Sequence, residues 1–410
     1  MESHCQESSP SGRRLSGGDC VRVLLVTDFF APAWGYGGPP KLVLTISKQL
    51  ASMGHEVAVL TTDALDERRF SASNYLPFEV IRARNASNSL AWQRKICVPI
   101  LPRNAASTLR EADIVHIFQL RSFLSLLAYL GTKLGEKPLV LSPLGGAPLV
   151  GSWHRIPKTA FDRLATPPIR RKVGAVLCQT NHEMQVSKSL VMDESRIHLV
   201  PLCVESDDCS SLPSKGEFIR KHPELREFDQ IYVFLGRIHK YKGIEMLMRA
   251  FQQAFRDENN ALVVAGKDEE GHLRFLQHRA ASLGMQKKVF FPGAIYHQNK
   301  REAFVDAHAF VITPSIFEET SLAALEAAAC GTPVLTTIQA EIPWLEQYSA
   351  GFMSEYDVDA ISKNLVKMSR IVGNERVKMG LSARRLIDEH YSAQAVTKQI
   401  ERVYLSLVER

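Results

Sequence analysis

Apolar runs and polar breaks alternate along this chain in a strand–helix–strand rhythm. The apolar run at 21–27 reads as a buried strand. Pro39 or Pro40 can open the next helix; Val43, Ile46, Leu50 and Met53 mark its buried face, and Gly54 stops it. A strand at 56–61 then completes a βαβ unit, so the first sheet is expected to be parallel. Further strands are predicted at 78–82, 113–118, 138–142, 174–179 and 197–200. A second series starts at 230–236, followed by a helix with Ile244, Leu247, Phe251 and Phe255 turned inward. It continues with strands at 261–266, 289–292, 309–312 and 333–337. The chain closes on a helix over 391–410, with Val396, Ile400, Val403 and Leu407 on one stripe. The pattern is α/β throughout.

Between the two series, residues 202–229 are polar and charged, which puts a domain boundary near 203–212. A length of 410 residues fits two domains of about 200 each, and 45% hydrophobic content is ample for two cores. Residues 1–20 are rich in Ser and Gly without an apolar centre and read as a tail, not a signal peptide. The most apolar of the longer stretches, 123–134, is too short to span a bilayer. Seven cysteines are scattered with no Cys-x2-Cys pair, which argues against a zinc site and for a reducing compartment. Charge is uneven: through Glu205 there are 24 Lys/Arg against 17 Asp/Glu, and beyond it 26 against 27. The basic excess belongs to the first half. Within it, 153–172 carries Arg155, Lys158, Arg163, Arg170, Arg171 and Lys172 among Trp153, Ile156, Phe161, Leu164 and Ile169. That face is equally a solvated surface or a membrane-interface segment. No nucleic-acid motif accompanies it, so an anionic membrane or lipid-linked acceptor fits better than nucleic acid.

Candidate chemistry gathers where strands empty into loops. The first strand runs into a loop ending in Gly37-Gly38, which lets a ligand approach backbone at a helix N-terminus. Another Gly-rich loop, Ser142-Pro143-Leu144-Gly145-Gly146, follows the strand at 138–142. The strand at 230–236 empties into Arg237 and, five residues on, Lys242; two cations there suit a diphosphate. The richest stretch is 314–333. An acidic loop leads into a short helix that Thr320 or Ser321 can cap, and Gly331 and Pro333 stop it. Glu318 and Glu326 frame that helix. On one continuous helix they would stand about 12 Å apart along the axis, too far for a glycosidase pair of about 5–9.5 Å. They are better placed to hold different parts of one extended ligand, with the backbone N–H groups of Ser321 and Leu322 as an anion site between them.

Glu318-x7-Glu326 after Pro314-Ser315, running into Glu-Ala-Ala-Ala-Cys-Gly-Thr-Pro-Val, resembles the signature of the retaining glycosyltransferases of family 4. The likeness extends over 21–410 and includes Gly236-Arg237 with Lys242-Gly243, the Gly37-Gly38 loop, and His116 after Asp113-Ile114-Val115. It implies the GT-B architecture, two Rossmann-like domains facing across a cleft. The acceptor-side domain would span 21–203, the donor domain 204–390, and the helix 391–410 would cross back to the first. By the same resemblance Glu318 meets donor-sugar hydroxyls, Glu326 the nucleotide ribose, Arg237 and Lys242 the donor diphosphate, and His116 is the active-site histidine. Gly37, Gly38, Thr320, Ser321 and Leu322 would line the donor site. This chain has Thr320-Ser321 where the family often has Phe-Gly, and Phe118 where a second histidine is common. The implied reaction moves a hexosyl group from a nucleotide-diphosphate sugar to a hydroxyl, with retention, in cell-surface polysaccharide or glycolipid synthesis. A saccharide or lipid-linked saccharide would be the acceptor, at a cytoplasmic site or on the inner membrane face. No Asp-x-Asp stands beside the site, so no obligatory metal and no cofactor are expected. One rival is a phosphorylase on the same architecture, which needs a pyridoxal phosphate lysine, of which there is no sign. The other is a catalytically silent nucleotide-sugar-binding subunit.

Overall fold

The computed structural model describes residues 20–65, 68–69, 76–146, 166–191, 193–205, 212–268 and 270–409. The expected tail and the part of the basic segment before Thr166 lie outside these residues.

Two parallel sheets organise the described chain. The first holds β1 (Arg22–Val26), β2 (Glu56–Thr62), β3 (Glu79–Asn85), β4 (Pro99–Ile100), β5 (Ile114–Phe118), β6 (Leu139–Ser142), β7 (Val173–Cys178) and β8 (Ile197–Leu199). Its order is β8-β7-β6-β5-β1-β2-β3-β4, and only β4 runs antiparallel. The second holds β9 (Gln230–Leu235), β10 (Asn260–Ala265), β11 (Val289–Gly293), β12 (Ala309–Ile312), β13 (Val334–Thr337) and β14 (Gly351–Ser354), in the order β11-β10-β9-β12-β13-β14. Both sheets reverse direction of growth beside their first strand. Val23 pairs with Val57 on one side and Ile114 on the other, and Tyr232 with Leu262 and Ala309. A crevice opens at such a switch point, outside the carboxyl ends of the strands.

Burial explains why these segments became strands. Helices cover both faces of a parallel sheet, so its central strands are apolar at every position. All five residues of β5 and all six of β10 are buried. The helix α1 (Pro39–Ser52) starts at Pro39, whose missing N–H costs nothing there. It buries Leu42, Val43, Ile46 and Leu50, and Gly54 ends it at φ +93°. The predicted strands match within a few residues; β3 runs on to Asn85 because its last residues pair with β4. β14 is not among the predicted strands, since Gly351-Phe352-Met353-Ser354 is only four residues long and half polar.

Two passages of chain connect the sheets, and they run side by side. Val204 N–H donates to the Tyr391 carbonyl at 2.9 Å, and Ala393 N–H to the Val204 carbonyl at 3.0 Å. The closing helix, α10 (Ala393–Val408), is capped by Ser392 and packs on α1, returning the chain to the first domain. Val396, Ile400, Val403 and Tyr404 are its buried stripe. Each such side chain contributes about 1.5–3 kcal/mol on burial, enough to fasten the chain end to the domain it left.

Five further helices of the first domain matter below: α2 (Asn88–Arg94), α3 (Arg103–Glu111), α4 (Phe123–Gly135), α5 (Thr166–Lys172) and α6 (Asn181–Ser187). In the second domain these are α7 (Ile244–Ala254), α8 (His297–Asp306) and α9 (Leu322–Ala329).

Candidate active site

The loops at the carboxyl ends of the two sheets face one another across the crevice. From the first sheet come Asp28–Gly38 after β1, Gln119–Ser122 after β5, Pro143–Gly146 after β6 and Thr180 at the start of α6. Phe29 and Tyr36 stack at 3.7 Å, and Trp92 of α2 meets Tyr36 edge-on at 5.4 Å, which shapes the first loop. Gly37 takes φ +98°, and a Cβ on Gly38 would stand 2.6 Å from Leu322 Cδ1. A glycine at 38 therefore lets the N-termini of α1 and α9 approach directly across the crevice. Lys267 reaches over Trp92 at 4.1 Å and joins the two domains at one lip.

In the second domain, the loop after β9 is zipped to the loop after β12. Ser315 N–H donates to the Tyr241 carbonyl at 2.9 Å, and Thr313 Oγ1 to the Gly243 carbonyl at 3.2 Å. Gly243 has φ +65°, and a Cβ there would lie 1.7 Å from the Thr313 oxygen, so this approach requires glycine. The zipper places Lys242 beside Glu318. Its Nζ donates to Oε1 at 2.8 Å and to Oε2 at 2.6 Å, with both side chains largely buried. Glu326, one turn into α9, is held by Lys300 of α8 at 2.7 Å and by Lys41 of α1 at 3.0 Å. The Lys41 contact spans the two domains. Arg237 lies exposed at the carboxyl end of β9.

The N-terminus of α9 is open. Ser321 occupies the N-cap position, but its side chain makes no capping bond. Thr320 turns away, and its Oγ1 donates to the Glu341 carbonyl at 2.7 Å. The side-chain cap expected from either residue is thus not made. Ala324 N–H turns back to the Ser321 carbonyl at 3.1 Å, so the N–H groups of Leu322 and Ala323 at the helix start are the ones left to the crevice.

His116 requires a correction. It lies fully buried in the middle of β5, two residues short of the strand end. Its Nδ1 is 2.6 Å from Tyr404 Oη of α10 and its Nε2 is 2.8 Å from Ser142 Oγ, while Phe118 stacks on the ring at 4.1 Å. Burial alone brings its pKa down to about 3, so it is neutral. Both ring nitrogens are engaged inside the core, and the catalytic role implied by the resemblance is not available to it. The sequence position is right for the strand, and the strand's alternation points the ring inward.

Glu319 has no place in the sequence reading. It follows Glu318 with φ +62°, a left-handed conformation that a non-glycine residue rarely adopts, and it is 1% exposed. Its carboxylate accepts from Thr180 Oγ1 and lies 2.8 Å from His182 Nδ1, both on the first domain. The His182 ring stacks on Phe317 at 3.6 Å. Asn181 Nδ2 and the His182 N–H donate to Glu341 at 2.7 and 3.2 Å. The start of α6 is therefore clasped by the loop that carries Glu318. Behind it, Glu183 accepts from the Gln179 and Gly145 N–H groups at 2.8 and 2.6 Å. Burial pushes its pKa up to about 7, with Glu319 adding to the rise. Asp28, fully buried and bonded to Ser122 Oγ at 2.6 Å, is raised by burial to about 6. The doublet Glu318-Glu319 is the only trace of this in the sequence, since the partner His182 lies 137 residues away.

Among the described residues no group of three or more His, Cys, Asp or Glu side chains could hold a metal ion. No described helix is long and apolar enough to cross a membrane. In α5, Ile169 is buried and Arg170 Nε is tied to the Val191 carbonyl at 3.1 Å, so this end of the basic segment is anchored to its own domain.

Two family models match the chain. "Glycosyltransferase Family 4" covers residues 36–208 and "Glycosyl transferases group 1" covers 215–385. The chain is 25% identical over 395 residues to a subunit of the phosphatidylinositol N-acetylglucosaminyltransferase of Arabidopsis thaliana, spanning 94% of this chain and 81% of that protein. With an uncharacterized glycosyltransferase of Methanocaldococcus jannaschii it shares 34% identity over 119 residues; that match spans 29% of this chain and only 30% of the relative's length. Among solved structures, Anabaena Alr3699/HepE in complex with UDP-glucose superposes with a TM-score of 0.69 at 14% identity, over 94% of this chain and all of that one. WaaG, a glycosyltransferase involved in lipopolysaccharide biosynthesis, superposes at 0.66 with 16% identity, over 93% of this chain and 99% of that one.

Proposed function

Since this chain belongs to the family 4 glycosyltransferases and has their two-domain GT-B fold, we propose that it transfers a hexosyl group from a nucleotide-diphosphate sugar to a hydroxyl acceptor with retention. The observation that carries this is the Lys242–Glu318 pair at the open N-terminus of α9, opposite Gly37-Gly38. Cation, carboxylate and helix N-terminus converge there as an extended anionic sugar ligand requires.

Breaking the bond to the anomeric carbon leaves negative charge on the diphosphate. Lys242, Arg237 and the N–H groups at the start of α9 stabilise that charge in the crevice between the domains. A diphosphate competes with Glu318 for Lys242, and a displaced Glu318 is then free to accept from sugar hydroxyls. Glu326 does the same for the ribose, with Lys41 and Lys300 holding its carboxylate in place. The Lys41 contact makes that arrangement depend on domain closure. Retention follows if the acceptor hydroxyl attacks from the face the diphosphate leaves, with the departing phosphate taking its proton. No carboxylate is assigned as a covalent nucleophile, and no metal or cofactor enters the scheme.

The acceptor reading is a saccharide or lipid-linked saccharide of a cell-surface polysaccharide or glycolipid. The relation to a component of a phosphatidylinositol N-acetylglucosaminyltransferase and the basic first half support it. Thermal denaturation against a panel of nucleotide-diphosphate sugars tests the donor half. At least one is expected to raise the melting temperature, and the matching sugar-free nucleotide to do so less. Proton NMR of the product's anomeric signal then reads the configuration; an inverted product would refute the same-face scheme.

A further inference from the structure

The edge of the first sheet carries a surface that the donor crevice does not use. From 80 to 110 the chain has Arg82, Arg84, Arg94, Lys95, Arg103 and Arg110 and not one Asp or Glu. Arg82 is turned toward the Ala31 carbonyl, whereas the other five are exposed. The same stretch exposes apolar side chains in a regular pattern. Ile96, Val98 and Ile100 are 40, 40 and 57% exposed, while Cys97 between them is buried. This is the alternation of an extended strand, turned inside out for a surface in water. The segment is held firmly. Ala86 N–H donates to the Val98 carbonyl at 2.9 Å, Val98 N–H to Asn85 Oδ1 at 2.8 Å, and Ile100 pairs with Arg84. Leu90 of α2 is exposed nearby in sequence, and α4, which packs on α3, exposes Phe123 and Leu130.

An exposed apolar strand at a sheet edge invites a partner. A second copy fits poorly: a stretch with six cations and no Asp or Glu from 80 to 110 would face its own like charge, and Pro99 and Pro102 remove two N–H donors from the edge. An anionic surface with an apolar interior satisfies both features. We infer that the 84–103 edge docks on an anionic lipid bilayer, with Ile96, Val98 and Ile100 inserted at the interface and Arg84, Arg94 and Arg103 among the headgroups. The inference rests on the lipid-linked acceptor reading for its purpose, and it names the surface that brings the acceptor-side domain to its substrate. It is a contact surface separate from the 155–172 segment, most of which lies outside the described residues.

The experiment is flotation of the full chain with phosphatidylglycerol–phosphatidylcholine vesicles and with phosphatidylcholine vesicles, with no donor or acceptor present. Binding is thereby read apart from transfer, and a protein inactive on every donor would still give a result. Wild type should float with the anionic vesicles at low salt, less at high salt, and not with phosphatidylcholine alone. Arg94→Glu with Arg103→Glu should weaken partition at least about tenfold. Ile96→Gln with Ile100→Gln should weaken it even at low salt. Unchanged melting temperatures would confirm that both variants are folded, as expected for exposed positions. Wild type that ignores anionic vesicles at low salt, or variants that float like wild type, would overturn the inference. So would a stable dimer in sedimentation that the isoleucine variant dissociates, because the edge would then be an interface between copies.

Discussion

Lys242 and Glu318 neutralise one another in a partly buried crevice, a pairing that is cheap to exchange and costly to leave half made. Removing a cation from the leaving-group site removes stabilisation that matters most in the transition state. Arg237→Ala is accordingly expected to lower kcat about 10²-fold with a smaller change in KM, as for loss of one transition-state donor. Steady-state kinetics that showed only a raised KM would reduce Arg237 to a ground-state contact. Glu183 offers a pH test. Its pKa rises from an ordinary 4.5 to about 7 because burial disfavours the charged form. The native state then holds a proton that the unfolded chain gives up near 4.5, so this contribution is full below that pH and is lost as pH climbs through 7. The loss is on the order of 3 kcal/mol or less. Glu183→Gln should reduce the decline and leave the share that Asp28, raised by burial to about 6, contributes; urea melts from pH 5 to 8 would show it as a flatter stability profile than wild type. Parallel profiles would mean that Glu183 titrates normally.

The helix α10 ties the two ends of the chain together, and His116 is one of its fastenings. Truncating a buried group with two hydrogen-bond partners leaves those partners unsatisfied, at about 1–3 kcal/mol. His116→Ala should therefore lower unfolding free energy by that amount or more while kcat at a permissive temperature stays near wild type. A large fall in kcat with unchanged stability would restore the catalytic role. These elements also show what can be read in the chain. Continuous apolar runs announce the central strands, and Pro39 with Gly54 brackets α1, because buried parallel strands and helix ends are local signals. Arg237, Lys242, Glu318 and Glu326 are candidates from spacing and resemblance, and the structure brings Lys242 onto Glu318. His116 is misleading because sequence position cannot tell which way a strand side chain points once both faces are buried. Glu319 is illegible because its partners, Thr180 and His182, belong to the other domain. The inside-out edge at 96–100 is invisible for a similar reason, since alternation shows a period and not which half faces water.

At the scale of the whole molecule, the two domains meet through Lys41–Glu326, Thr180 and His182 with Glu319, Asn181 with Glu341, and Lys267 over Trp92. Both domains thus contribute to one crevice, in which lysines, carboxylates and a helix N-terminus meet. Activity is expected to survive a chelator essentially intact; loss restored by manganese or magnesium would reveal a metal requirement in the transfer step. The central claim is that this crevice stabilises a departing nucleoside diphosphate. The most direct measurement is nucleoside diphosphate release from the donor that best stabilises the protein, comparing wild type with Lys242→Ala at matched folded fraction. The account predicts measurable release by wild type and a fall of about 10²-fold or more in the variant. Equal release by the two proteins would contradict it.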